Sequence, residues 1–377
     1  MVLQDFLQWM EVASPAQRAA AVRTISLAYL DPDVDAEARS VIEAALTVTL
    51  DDPAIEVRHA IADILGASPK APRHVIISLA ADATDTAVLV LARSPVFIDS
   101  ELAEIAANTG THMQIAIARR RVLSSAVSAA LAETGEKAAV AALLENGGAT
   151  IARMSFRRIA ERFGGDSEIR DAMFGRPDLP PDVRQLLVRA VGDALGSMAI
   201  TRAWVPEGRA RTFTRDACDR ATVAIAAESQ TEDLPALVEH LRATEQLTTA
   251  LLLRAVCAGN VAFFEAALAA LSRIPEQRIA HLVRAGRAAA LRAVYTKAGL
   301  PGVAFQAFAA ALDTWRRLAR DGEPKDRYRF TMEMVEAVLS RYSDITDGEA
   351  NELAAMLRRF AADQARDAAR DLARTAA

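Results

Sequence analysis

Three carboxylates alternate in DPDVDAEARSVIE, residues 31–43, the way a calcium loop presents its first oxygen ligands. That chemistry then needs glycine at the sixth position and glutamate at the twelfth. The sequence has Ala36 and Ile42 there, with Glu43 one residue late. Asp31, Asp33 and Asp35 therefore read as acids around a helix N-terminus, where the backbone dipole favours negative charge. Asn146-Gly147-Gly148 suggests a phosphate-binding turn, but no strand precedes it and no Lys-Ser/Thr follows. A corner needing unusual backbone angles accounts for it.

The five histidines, His59, His74, His112, His240 and His281, form no H-x-x-x-H pair and have no cysteine at ligand spacing. A zinc site would need three or four ligands converging from separate segments, so each reads as a single surface or groove histidine. No metal and no cofactor is expected. There is no G-x-S-x-G elbow and no H-E-x-x-H, so the chain reads as a non-enzyme, although triads assemble in space rather than in sequence.

Arginine is the chemical feature that stands out. Arg119, Arg120 and Arg121 are consecutive, and Arg153, Arg157, Arg158 and Arg162 follow at helical i, i+4 spacing. Lined up along one ridge, they would make a basic strip whose planar forks suit carboxylates and phosphates. Arg202, Arg209, Arg211 and Arg215 extend the run. Answering carboxylates stand nearby at Glu133, Glu145, Glu161 and Asp166.

The elements that must position these residues recur. Laid on itself at a shift of 26, the sequence repeats its corners at Ser68-Pro69, Ser94-Pro95, Arg120-Arg121 and Asn146-Gly147, with Arg176-Pro177 following after 30 residues. Three residues before each corner stands a large apolar residue: Leu65, Leu91, Ile117, Leu143 and Met173. Eleven after it stand Leu79, Ile105, Leu131 and Leu187, while the fourth copy has Arg157 there, with Met154 or Ile159 expected to turn inward. Apolar residues three and four apart within each copy specify helices, and HVIISLA at 74–80 is a repeat's second helix. One helix pair of this length cannot bury its apolar face alone, so the pairs must stack. Ser14-Pro15-Ala16-Gln17 carries a helix-capping box, and Gly259, Gly286 and Gly299 sit where helices end.

GSMAITRAWVPEGRARTF, residues 196–213, loses the periodicity and reads as a linker. The expectation is an all-α protein, a right-handed α-α superhelix of HEAT-like short repeats in two helical parts. Residues 1–50 cap the array, 51–195 form the 26-residue solenoid and 214–320 a second repeat part. C-terminal helices occupy 321–377, with a loop at 321–329.

Two passages carry a family resemblance: VRHAIADILGASPKAPRHVIISLA with LARSPVFIDSELAEIA, and LLLRAVCAGNVAFFEAALAALSRIPEQRIAHLV with Gly-Leu-Pro at 299–301. Over roughly residues 50–310 the chain resembles a bacterial family catalogued as domain of unknown function 2336, described as HEAT-like helical repeats. Its short corner is also similar to that of leucine-rich-repeat-variant proteins, whose short helical repeats form solenoids. The resemblance implies the fold and brings no functional residues.

Composition fits a folded, cytoplasmic protein. Of 377 residues 52% are apolar, 25% charged and 5% aromatic, which suits helices packed through small side chains. Cys218 and Cys257 lack C-x-x-C spacing and read as buried thiols. No apolar run approaches the roughly 20 residues that span a bilayer. The net charge of −5 is uneven: residues 1–110 carry 7 basic and 16 acidic side chains, residues 111–215 carry 16 and 11. The functional expectation is a protein–protein scaffold or adaptor whose partner has an acidic surface, self-association included. A nucleic-acid-binding protein using the arginine strip is disfavoured by the overall charge and the scarce aromatics. A sensor for a small ligand between the two helical parts is the third reading.

Overall fold

The structure, a computed structural model, describes residues 3–202, 204–320, 327–342 and 348–375. Those residues form helices and no strand, and they divide into two compact units, Met1–Leu179 and Pro180–Ala377.

The first unit holds α1 (Leu3–Val12), α2 (Pro15–Leu30), α3 (Ala36–Thr49), α4 (Ile55–Leu65), α5 (Arg73–Ala80), α6 (Thr84–Arg93), α7 (Asp99–Asn108), α8 (Thr111–Ala118), α9 (Ser125–Thr134), α10 (Lys137–Glu145), α11 (Arg153–Phe163) and α12 (Ser167–Phe174). Helices of eight to eleven residues are marginal alone, and packing explains why these form. The even-numbered helices α2, α4, α6, α8, α10 and α12 pack in sequence, each on the next, and α7, α9 and α11 make a second row. Leu65, Leu91, Ile117, Leu143 and Met173 are all fully buried, each worth roughly 1.5–3 kcal/mol of apolar burial.

Leu79, Leu131 and Leu187 are buried as their spacing predicts, while Ile105 is half-buried between the buried Leu102 and Ala106. In the fourth copy Ile159 and Phe156 point inward and Met154 is exposed, so of the two candidates there only Ile159 enters the core. Ser14 accepts from the Gln17 amide and the Gln17 side chain accepts from the Ser14 N–H, closing the box ahead of α2. Asp35 caps α3, accepting from the Ala38 amide at 2.7 Å.

The second unit holds α13 (Pro181–Thr201), α14 (Glu207–Glu228), α15 (Leu234–Ala243), α16 (Thr249–Cys257), α17 (Val261–Ser272), α18 (Glu276–Ala285), α19 (Ala288–Lys297), α20 (Phe305–Arg320), α21 (Arg327–Tyr342) and α22 (Gly348–Thr375). Its centre is α16: every residue from Leu251 to Cys257 is buried, and α14, α17, α20, α21 and α22 all pack on it. Gly259, Gly286 and Gly299 have φ of +83°, +68° and +74°, the left-handed cap conformation. Cys218 and Cys257 are buried free thiols, and burial pushes Cys257 up to about 12.

The expected linker at 196–213 is corrected. It is the end of α13, a short turn and the start of α14, and the division between units falls at 179/180 instead. Gly196 looked like a break, yet it is a packing residue. A Cβ there would lie 2.7 Å from Thr214 Oγ1, and one at Gly192 would lie 2.5 Å from Cys218 Sγ. The expected loop at 321–329 lies outside the described residues as far as 326, and Arg327, Tyr328 and Arg329 open α21.

Candidate functional site

The corners carry the first site. A helix C-terminus leaves its last carbonyls without partners, and here the next corner supplies the donor. Arg120 gives its guanidinium to the carbonyls of Leu91 at 2.7 Å and Ser94 at 2.6 Å. Asn146 gives its amide to the carbonyls of Ala118 and Arg120, both at 2.7 Å. Arg176 reaches the carbonyls of Leu144, Asn146 and Ala149 at 3.2, 2.9 and 3.0 Å, and its fork also holds Asp178. Corner residues therefore form a chain of bonds, 176 to 146, 146 to 120 and 120 to 94. Burial lowers the Arg120 pKa and Asp99 opposes the shift, but arginine stays charged.

Glycine at 148 is needed for a different reason than the sequence suggests. Its φ is not positive. Instead a Cβ there would lie 2.0 Å from the Arg121 carbonyl oxygen, because Leu123 draws the two turns together: its N–H donates to the Gly148 carbonyl at 3.1 Å and its carbonyl accepts from the Thr150 N–H at 2.9 Å.

The seven arginines of the expected strip are not brought together as one. Arg119, Arg120 and Arg121 follow α8 and belong to the even-numbered row, whereas Arg153, Arg157, Arg158 and Arg162 are on α11 in the other row. Arg162 donates to the carbonyls of Ala132 and Gly135 at 2.7 and 2.9 Å, capping α9. Arg158 forks onto Glu133 at 2.7 and 2.9 Å and approaches Glu161 at 3.7 Å. Arg153 and Arg157 are half-buried, and Arg119 and Arg121 are exposed. Spacing alone placed these side chains on one ridge; the stacking of helix pairs puts corner and helix in different rows.

A second site went unnoticed in the sequence. In the second unit a cleft of about 530 Å³ is lined by Arg215, Asp216 and Asp219 of α14, Thr248 and Thr249 at the start of α16, and Glu352 and Arg359 of α22. Asp216 accepts from the fully buried Arg254 at 3.0 Å and from Arg359 at 2.8 Å. Burial alone would raise the Asp216 carboxyl, but these two arginines outweigh it and hold it below the usual carboxylate range. One turn on, Asp219 has Arg254 only at 3.8 Å, and burial pushes its carboxyl up against that charge. Asp216 is saturated by two guanidiniums, so the pair is arranged to hold a charge cluster together and to offer Asp219 to the cleft. Asp216 and Arg359 are 143 residues apart, which no local signal joins.

His240, expected on the surface or in a groove, is buried: its Nε2 meets Gln185 Oε1 at 2.9 Å, and Gln185 donates to Gln246 at 2.7 Å. Among the described residues no group of three or more His, Cys, Asp or Glu is placed to hold a metal ion.

The model of a family described as uncharacterised protein conserved in bacteria, DUF2336, matches residues 86–348. The chain belongs to this family. Its DUF2336 region begins and ends further along than the resemblance over 50–310, taking in α6 to the start of α22. No curated protein and no solved structure matches the chain. No described helix is long and apolar enough to cross a membrane.

Proposed function

We propose that this protein is a non-catalytic scaffold or adaptor built on helical repeats, its first unit a right-handed α-α superhelix of HEAT-like pairs. The observation that carries the reading is the corner chain: Arg176, Asn146 and Arg120 each bond the corner before them. Equivalent positions of successive pairs then stand in register. Stacked repeats of this kind expose an extended surface whose residues vary without disturbing the core. The exposed Arg119 and Arg121, beside a corner already satisfied, are the side chains free to meet an acidic protein surface. The nucleic-acid reading is less favoured, because Arg120, Arg158 and Arg162 already donate to the protein's own oxygens.

The test is affinity capture from lysate of a cell that makes the protein, with and without nuclease, comparing wild type with Arg119→Glu/Arg121→Glu. Arg120 is left intact because it holds the corner. A protein lost in the variant and indifferent to nuclease is the expected result. Identical partners for both baits would overturn the use of this corner, and nuclease-sensitive capture would favour nucleic acid.

A second reading, a small-ligand sensor, is favoured by the cleft at Asp219 and Thr248 within the second unit. A metabolite panel that raises the melting temperature of wild type but not of Asp219→Asn would support it.

A further inference from the structure

Beyond the partner surface at the corners, the α13–α14 hairpin ends in a face that no described residue of the second unit covers. No residue from 190 to 201 is buried. Leu195, Met198, Trp204 and Phe213 are exposed at 60%, 45%, 65% and 55% of their surface, where a folded chain normally keeps its large apolar side chains scattered.

Helical geometry places them together. Gly192 and Gly196 turn toward Thr214 and Cys218, which fixes the seam between the two helices. A polar recess lined by Arg189, Asp193, Arg211 and Arg215 lies to one side of the seam. Leu195 and Met198, with Arg202 on the same stripe of α13, fall on the other side, as do Phe213 and Arg209 of α14. Trp204 caps the end, and the Arg202 guanidinium lies 5.2 Å from its ring centre.

Charge decides what this face fits. Residues 189–215 carry five arginines and two carboxylates. Asp193 lines the recess and accepts from Arg189 at 3.1 Å, and Glu207 pairs with Arg211. The apolar face thus has Arg202 and Arg209 and no carboxylate. A second copy of the same face would bring arginines and no acid to meet them. Apolar side chains interleaved with arginine around a tryptophan are what an anionic interface takes: the apolar groups enter the acyl boundary and the guanidiniums stay at the headgroups.

We infer that the α13–α14 hairpin docks on an anionic lipid surface, lying on the membrane through Leu195, Met198, Trp204 and Phe213 with Arg202 and Arg209 at the phosphates.

The test is flotation of the full-length protein with vesicles of phosphatidylglycerol and phosphatidylcholine, against vesicles of phosphatidylcholine alone. Wild type should float with the anionic vesicles only, and less so at high salt. Arg202→Glu/Arg209→Glu should weaken binding at least roughly tenfold, as should Trp204→Ser/Phe213→Ser. Circular dichroism should stay unchanged in both, because all four side chains are exposed. Equal binding to neutral vesicles, no binding, or wild-type binding by the variants would each overturn the inference. So would a hairpin that leaves lipid alone while Trp204→Ser/Phe213→Ser converts a dimer to a monomer in sedimentation, which would give the face to a second copy.

Discussion

Asn146 donates its side-chain amide to the carbonyl of Arg120, 2.7 Å away and 26 residues earlier in the chain. The bond joins two positions separated by the same 26 residues at which corner residues recur in the sequence.

The corner chain predicts graded losses of stability. Arg176→Ala removes a buried fork and leaves carbonyls of Leu144, Asn146 and Ala149 without a donor, at a cost of about 2–3 kcal/mol. Arg120→Ala should cost about 1–2 kcal/mol, and lysine should not rescue it, since one ammonium cannot reach both carbonyls in the same plane. Arg119→Ala should stay within about 0.5 kcal/mol. Urea unfolding followed by circular dichroism checks the order.

The paired glycines separate two explanations of the same corner. Gly148→Ala forces a Cβ against the Arg121 carbonyl and should lower the urea midpoint by an amount equivalent to about 1–3 kcal/mol. Gly147→Ala meets nothing within 4 Å and should be neutral or slightly stabilising through the unfolded chain. Equal effects would mean the corner is set by backbone freedom and not by close approach.

The charge cluster of the second unit should behave as a unit. Arg254→Ala leaves the buried Asp216 with Arg359 alone and should cost about 2–3 kcal/mol. Arg359→Ala, whose side chain is partly in water, should cost about 1 kcal/mol. The double change Asp216→Ala/Arg254→Ala should cost less than the sum of its two single changes, giving a coupling energy of about 1–3 kcal/mol in a double-mutant cycle. Strict additivity would show the bond to be idle.

Glu265 gives a pH signature. It is buried on α17, Oε1 has no hydrogen-bond partner, and burial raises its carboxyl above the ordinary 4.5. Below that ordinary value both folded and unfolded chains hold the proton and nothing is lost. As pH rises past it the unfolded chain ionises first, so the folded state loses stability progressively up to its own raised value and carries the full penalty above it. Glu265→Gln should therefore unfold later than wild type at pH 8 and match it near pH 3.5 to 4. The arginine-paired Asp52, Asp82 and Asp216 run the other way: their lowered values stabilise the fold above the ordinary 3.8 and that support is lost as acid protonates them. Both chains share that loss, so the difference between them isolates Glu265.

Residue order alone determined the helices, the 26-residue period, the capping box at Ser14 and the inward turn of Leu65, Leu91, Ile117, Leu143 and Met173. These follow from spacing and backbone preference, which are properties of a few adjacent residues. The tertiary structure decided where the polar side chains go. Arg120 and Arg162 look like open cations in the sequence and are helix caps in the fold, because their acceptors are carbonyls 26 to 30 residues back that become neighbours only on stacking. Gly196 reads as a break and is a contact, since the Thr214 that presses on it belongs to another helix. Asp216 meets Arg254 and Arg359 from helices far along the chain, and a partner that far away leaves no periodic trace. Which side chains are buried is written in local spacing; which charges are already spoken for is settled only when the helices meet.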